Sequence, residues 1–379
     1  MFESFVRLVR EIYHSDQFIP LHAPHFAGNE KRYLDKVIDS TFVSSVGPYV
    51  GEFEQQIATY CGSSHAIATV NGTAALHIAL LLAGVRPGDE VLTQAVTFVA
   101  TCNAIHYCGA EPVFLDIAAE TLGLSAASLD DFLAQYAERR AGGIYNRRSG
   151  RRIAACLPMH SLGHPCEMPA LTEICREYDL PMVEDAAEAL GSRLQGRHCG
   201  TFGLLGVLSF NGNKIITTGG GGMILTDDAE LAAKAKHLTT TAKLPHPWKF
   251  EHDQIGYNYR MPNLNAALGL AQLEQLPHFI AAKRTLAARY AAWAAETGAT
   301  FFPEPAGASA NYWLNALLLN DLAQRDAFLT YTNARDVMTR PLWELMSDLP
   351  MFRHCQTDGL ANSRRLSARL VNIPSSVAS

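Results

Sequence analysis

Short apolar runs alternate with amphipathic stretches between about residue 65 and residue 240, at 65–70, 90–93, 112–117, 153–159, 181–184, 204–210 and 222–226. Their brevity, and the Gly, Pro and Asn that bound many of them, predict strands. The intervening segments 73–81, 98–107, 129–137 and 168–178 space their apolar residues three and four apart, as a helix face does. Strand and helix taking turns is the rhythm of a mostly parallel sheet covered on both faces, here with seven strands.

Past Pro262 the period lengthens. Leu264, Ala267, Leu268 and Ala271 share one helical face, the pattern is expected to break near Pro277, and it resumes through Ala281 to Ala295. Beyond Gly298, short segments such as 312–319 and 322–333 predict a smaller α+β unit. At 379 residues the chain exceeds one ordinary core. The expected division is a large α/β domain over 1–260, including an N-terminal helix with Phe5, Leu8, Val9 and Ile12 on one face, and a linking helix plus small domain over 261–379.

Composition narrows the function. The net charge of −6 comes with no basic arm, which argues against nucleic acid as a partner. No apolar run approaches the ~18 residues of a membrane span, so no membrane partner is expected. Eight cysteines are scattered without a C-x-x-C pair, the pattern of reduced thiols in a cytoplasm. Residues 139–152 break the rhythm with six arginines and three glycines. They read as a surface excursion between a helix and the next strand, with a diphosphate-binding role as the alternative.

Candidate chemistry gathers where the strands end. Lys214 follows the run 204–210 and precedes the four glycines Gly219 to Gly222, and Asp185 ends the run before it. Open α/β sheets place their sites at such ends. A lysine amine and a buried carboxylate are the two anchors that pyridoxal phosphate needs, one for its aldehyde carbon and one for its ring nitrogen. Alone, the lysine reads equally as a loop residue and the aspartate as a helix cap. Asn71-Gly72-Thr73, between a strand and a helix start, has the form of a phosphate-binding turn or of a plain capped turn. Phe98 has the shape to lie against a pyridine ring but reads as readily as ordinary core, Ala187 is small enough to permit close approach from across the ring, and Ser209 has a hydroxyl for a phosphate oxygen or for a structural bond within its strand. A P-loop is excluded because Ile215 follows the lysine and no helix begins there, and His160 and His164 lack partners at metal-ligand spacing.

These residues resemble a known family, the DegT/DnrJ/EryC1/StrS group of pyridoxal-phosphate sugar aminotransferases, of fold type I. The resemblance spans nearly the whole chain and rests on Val46 to Val50 with Phe53-Glu54, Asn71 to His77, Thr97 to Thr101, Glu184 to Ala189, Ser209 to Lys214, and Gly256 to Met261. It implies an internal aldimine on Lys214, Asp185 paired with the pyridinium nitrogen, and Phe98 stacked on the ring. It also implies Gly72, Thr73 and Ser209 on the phosphate, and Asn258 reaching that phosphate from the neighbouring subunit of a homodimer. One departure stands out: position 188, near the cofactor's 3-oxygen, has Gln or His in the family and Glu188 here. A carboxylate beside a phenolate repels it unless it is protonated or turned away.

The implied activity moves an amino group from L-glutamate, through pyridoxamine phosphate, to C4 of a nucleotide-linked 4-keto-6-deoxy sugar. A 2-acetamido group and a role in surface-glycan biosynthesis are expected. Ile19 to His22, Ser44 to Gly47, Met159 to Pro165 and Met338 to Trp343 look most like the branch making legionaminic-acid or bacillosamine precursors. Two rivals are a pyridoxamine-dependent dehydratase, which resembles this chain but has His in place of Lys214, and a non-catalytic cofactor-binding regulator that contacts DNA.

Overall fold

The computed structural model describes residues 1–378. Its principal sheet contains β1 (His65–Thr69), β2 (Glu90–Gln94), β3 (Glu111–Leu115), β4 (Arg152–Leu157), β5 (Val183–Asp185), β6 (Leu205–Ser209) and β7 (Gly222–Thr226). The order across it is β3-β2-β4-β5-β6-β7-β1, with β4 joined to β5 by the bridges Cys156 to Met182 and Met159 to Asp185. Only β7 runs against its neighbours β6 and β1.

Alternation along the strands explains the layers. Ile67, Val91, Val207 and Ile224 face one side, where they pack with Leu76 and Ala79 of helix Gly72–Leu82, Ile105 of helix Val99–Tyr107 and Ala235 of helix Ala229–Thr239. Ala66, Ala68, Leu208, Met223 and Leu225 face the other, against Phe53 and Ile57 of helix Pro48–Cys61 and Phe279 of the long helix. Successive strand residues point to opposite faces, so short runs with both faces covered have to be apolar almost throughout.

Two expectations need correction. Pro277 does not interrupt the helix after Pro262, which runs unbroken as Asn263–Thr297. Proline removes one intrahelical bond, but Leu276 and Phe279 on either side are fully buried and hold the helix on course. The N-terminal helix Phe2–Tyr13 does not pack with the large sheet; Phe5, Val9 and Ile12 join Tyr290, Trp293, Phe328 and Val371 around a second sheet. That antiparallel sheet orders Thr300–Phe301, Asn315–Leu318, Leu370–Ile373 and Arg340–Pro341. The arginine-rich segment is the expected excursion between a helix and the next strand: it forms a hairpin, Ala137–Arg140 with Gly143–Asn146, and four of its arginines pair with Asp179, Glu138, Glu111 and Asp89. Charges already neutralised by neighbours are poorly placed to hold a diphosphate.

Candidate active site

At the C-terminal edge of the sheet lies a cavity of about 300 Å³, lined among others by Gly72, Thr73, Phe98, Asp185, Ala187, Glu188, Ser209 and Lys214. Each arrives from a strand end: Gly72 after β1, Phe98 after β2, Asp185 at the end of β5, Ser209 at the end of β6 and Lys214 in the loop beyond it.

Asn71 caps helix Gly72–Leu82, its Oδ1 accepting the Ala74 amide at 2.8 Å. The Ala75 amide donates to the Asn71 carbonyl, so Gly72 and Thr73 carry the helix-end amides that take no partner among the described residues. A helix start with free amides attracts an anion. The cradle is tight: a Cβ on Gly72 would sit 3.1 Å from Ser209 Cβ and 3.3 Å from its Oγ, and one on Gly222 would fall 2.5 Å from the Asn71 carbonyl carbon.

Asp185 is buried, with Oδ2 accepting from Thr101 Oγ1 at 2.7 Å and Oδ1 from the Ala187 amide at 3.1 Å. Burial raises its carboxyl above the ordinary value against the pull of these bonds. A cation placed beside it is therefore strongly favoured. Glu184, one residue earlier, points to the opposite face, where the His160 ring and the amides of Gly200 and Gly203 surround its carboxylate. This gives His160 a structural role. Phe98 lines the cavity and is 47% exposed, leaving its ring open.

Lys214 Nζ lies 3.3 Å from Glu188 Oε1 and 4.2 Å from the centroid of the Trp313 ring. Glu188 Oε2 accepts the Leu162 amide at 2.8 Å, and burial pushes the carboxyl up to about 7 although the Lys214 charge pulls it down. Asn258 does not line this cavity; it is exposed, on a segment bridged to Thr240.

A model of the DegT/DnrJ/EryC1/StrS aminotransferase family matches residues 24–378. The chain belongs to this family. It is 36% identical over 360 residues to a GDP-perosamine synthase of Caulobacter vibrioides, spanning 94% of this chain and 92% of that one. It is 38% identical over 341 residues to a putative pyridoxal phosphate-dependent aminotransferase, EpsN, of Bacillus subtilis, spanning 88% and 84%. The crystal structure of the aminotransferase TlmJ from Streptoalloteichus hindustanus superposes with a TM-score of 0.86 at 30% identity, over 94% and 93% of the two chains.

The cofactor of this aminotransferase is pyridoxal phosphate, and the residues present fit it. Free amides and a hydroxyl that would take its phosphate lie together beside the cavity, a buried carboxylate would pair with a protonated ring nitrogen, an aromatic face is open, and an amine is present that would meet the aldehyde carbon. Sequence reasoning missed Thr101, which orients Asp185, and Trp313 and Trp343, which line the cavity from the second sheet and its loops. Thr101 stands four residues after Thr97, one turn along a helix start, and that spacing was its only signal. The tryptophans had none, because residues more than a hundred positions away bring them there.

Proposed function

We propose that this aminotransferase moves the amino group of L-glutamate to C4 of a nucleotide-linked 4-keto-6-deoxy sugar bearing a 2-acetamido group, for surface-glycan synthesis. It works in the cytoplasm as a homodimer whose Asn258 reaches the partner's phosphate cradle. The observation that carries this reading is the convergence of the Lys214 amine and the Asp185 carboxylate on one cavity that shares wall residues with a second.

Pyridoxal phosphate, when bound, supplies a ring that accepts the electron pair left at the substrate carbon. In this reading Gly72 and Thr73 amides and the Ser209 hydroxyl bind its phosphate. Asp185 keeps a proton on the ring nitrogen, and Phe98 and Ala187 set the ring plane. Lys214 holds the cofactor at rest, then carries a proton between the substrate carbon and the cofactor's exocyclic carbon, in opposite directions for the two half-reactions.

The second cavity, about 500 Å³, shares Asn213, Trp313 and Trp343 with the first and is lined further by His22, Arg340 and Asn372. That is room for a nucleotide beyond the sugar, with the Arg340 guanidinium available to an anion. The perosamine synthase relative supports a GDP carrier, whereas the legionaminic-acid and bacillosamine resemblance supports the acetamido group. Lysine at 214 speaks against the dehydratase alternative.

The test is to incubate the purified protein with glutamate and a panel of UDP-, GDP- and TDP-linked 4-keto-6-deoxy sugars, with and without a 2-acetamido group. Formation of 2-oxoglutarate in proportion to amino sugar is expected with at least one. No 2-oxoglutarate above the level without sugar, across the panel, would end this reading.

A further inference from the structure

Two walls enclose the Lys214 amine, the Glu188 carboxylate on one side and the Trp313 ring on the other, and both hang on one side chain. Asn311 Nδ2 donates to the carbonyl oxygens of Glu188 and Leu190, each at 2.9 Å, and its Oδ1 accepts the Trp313 amide at 2.8 Å. Asn311 is fully buried, and the backbone of Gly163 passes so close that a Cβ there would lie 1.9 Å from Asn311 Oδ1. With Oε2 of Glu188 taken by the Leu162 amide, Oε1 is left facing Lys214. A carboxylate fastened in this way at backbone and side chain does not turn aside.

Resting on the reading above, in which Lys214 moves the substrate proton, we propose that Glu188 is the positioning residue that holds this proton on Lys214 between its removal and its delivery. The neutral amine takes the proton: the substrate C–H bond breaks, its electron pair stays with the carbon, and an N–H bond forms. The resulting ammonium lies against the Glu188 carboxylate. The N–H bond then breaks, its pair returning to nitrogen, and a C–H bond would form at the cofactor's exocyclic carbon with the pair released at the substrate carbon and shared through the conjugated ring, so that the amine is neutral again. Glu188 keeps its own protonation state throughout and acts through its charge.

Two titratable groups face the pair. Asp185 lies close enough to act on both Lys214 and Glu188, and His22 approaches Lys214 from the N-terminal segment. Burial places the Glu188 carboxyl at about 7, so the counter-charge fades on acidification. Asp185 is committed to Thr101 and the Ala187 amide, which leaves Glu188 as the carboxylate bonded to the amine.

The test reads Lys214 directly. The full chain, stripped of cofactor and separately loaded with pyridoxamine phosphate, is pulsed with an amine-acylating reagent across a pH series, and Lys214 modification is quantified by peptide mass spectrometry. In Glu188→Gln the labelling curve is expected to move to lower pH by about one unit, ~tenfold faster labelling on the rising limb, because the ammonium has lost its counter-charge. Glu188→Asp, which withdraws the carboxylate by one methylene, should move it part of the way and serves alone if the Gln variant does not fold. With α-deuterated glutamate, the isotope effect on kcat should grow in either variant while KM holds. A labelling curve that stays in place would overturn the proposal. Borohydride trapping of cofactor on wild-type Lys214 tests the parent reading separately: without that linkage both fall, and with it an unmoved curve rejects the Glu188 role alone.

Discussion

Asp185 and Lys214 do different work within one cavity, and single substitutions separate them. Asp185→Asn keeps the shape and an acceptor for Thr101, but leaves no charge to hold a proton on the ring nitrogen. Its kcat should fall ~10²–10³-fold, the scale seen when one preorganised electrostatic group is removed, with the fold retained by circular dichroism. A near-normal kcat would show that some other group serves the ring nitrogen. Lys214→Ala should abolish both turnover and the absorption band near ~420 nm that marks a lysine-bound cofactor. Sequence pattern singled out both residues because Asp185 ends an apolar run and Lys214 stands just beyond the next one, positions where a polar side chain is conspicuous. Glu188 was conspicuous for another reason, a carboxylate where the family carries a neutral or basic group. Its bond to Lys214 and its anchor on Leu162 depend on a left-handed turn at Leu162 and Gly163 that no local pattern announced.

At the scale of elements, the phosphate cradle depends on how closely β7 passes the turn between β1 and its helix. Gly222→Ala puts a methyl group 2.5 Å from both the carbon and the oxygen of the Asn71 carbonyl, so strand and turn must separate. Overpacking of this kind costs ~1–3 kcal/mol. We expect a lower urea midpoint together with weaker binding of pyridoxal phosphate, measured by absorbance titration; unchanged cofactor affinity would show that the cradle tolerates the shift. The seven strands were legible because each is buried on both faces and bounded by turn residues. The long helix was misread at Pro277, since a local rule about proline cannot weigh the burial of Leu276 and Phe279 on either side.

For the whole molecule, buried histidines set the response to acid. Burial lowers His164 to about 4 and His198 to about 3 from an ordinary 6.5, and lowers His22 and His77 in the same direction. Between those values and 6.5 the unfolded chain binds protons that the fold refuses, so stability falls as pH drops through that window. Glu188, Glu90 and Asp185 are raised by burial and act oppositely, the fold gaining from their protons on acidification, and His160, raised against its burial by its Cys199 and Cys166 neighbours, acts with them. The four lowered histidines span the window downward from 6.5, and the urea midpoint should be lower at pH 5 than at pH 7. His164 stands edge-on between Phe302 and Tyr312 with both ring nitrogens unpartnered. His164→Leu should flatten the dependence by up to ~1.4 kcal/mol per pH unit; an unaltered slope would assign the effect elsewhere.

Long-range assembly was the least legible scale. The amphipathic face of the N-terminal helix could be read, yet its partners lie some 280 to 370 residues onward. The same assembly brings Trp313 and Trp343, two of the four indoles in the chain, into the walls of both cavities. The enzyme thus carries its own optical reporter. Emission from these two side chains should dim by energy transfer when the coloured vitamin enters, and shift again when a sugar nucleotide displaces water beside them, so occupancy can be followed without a label.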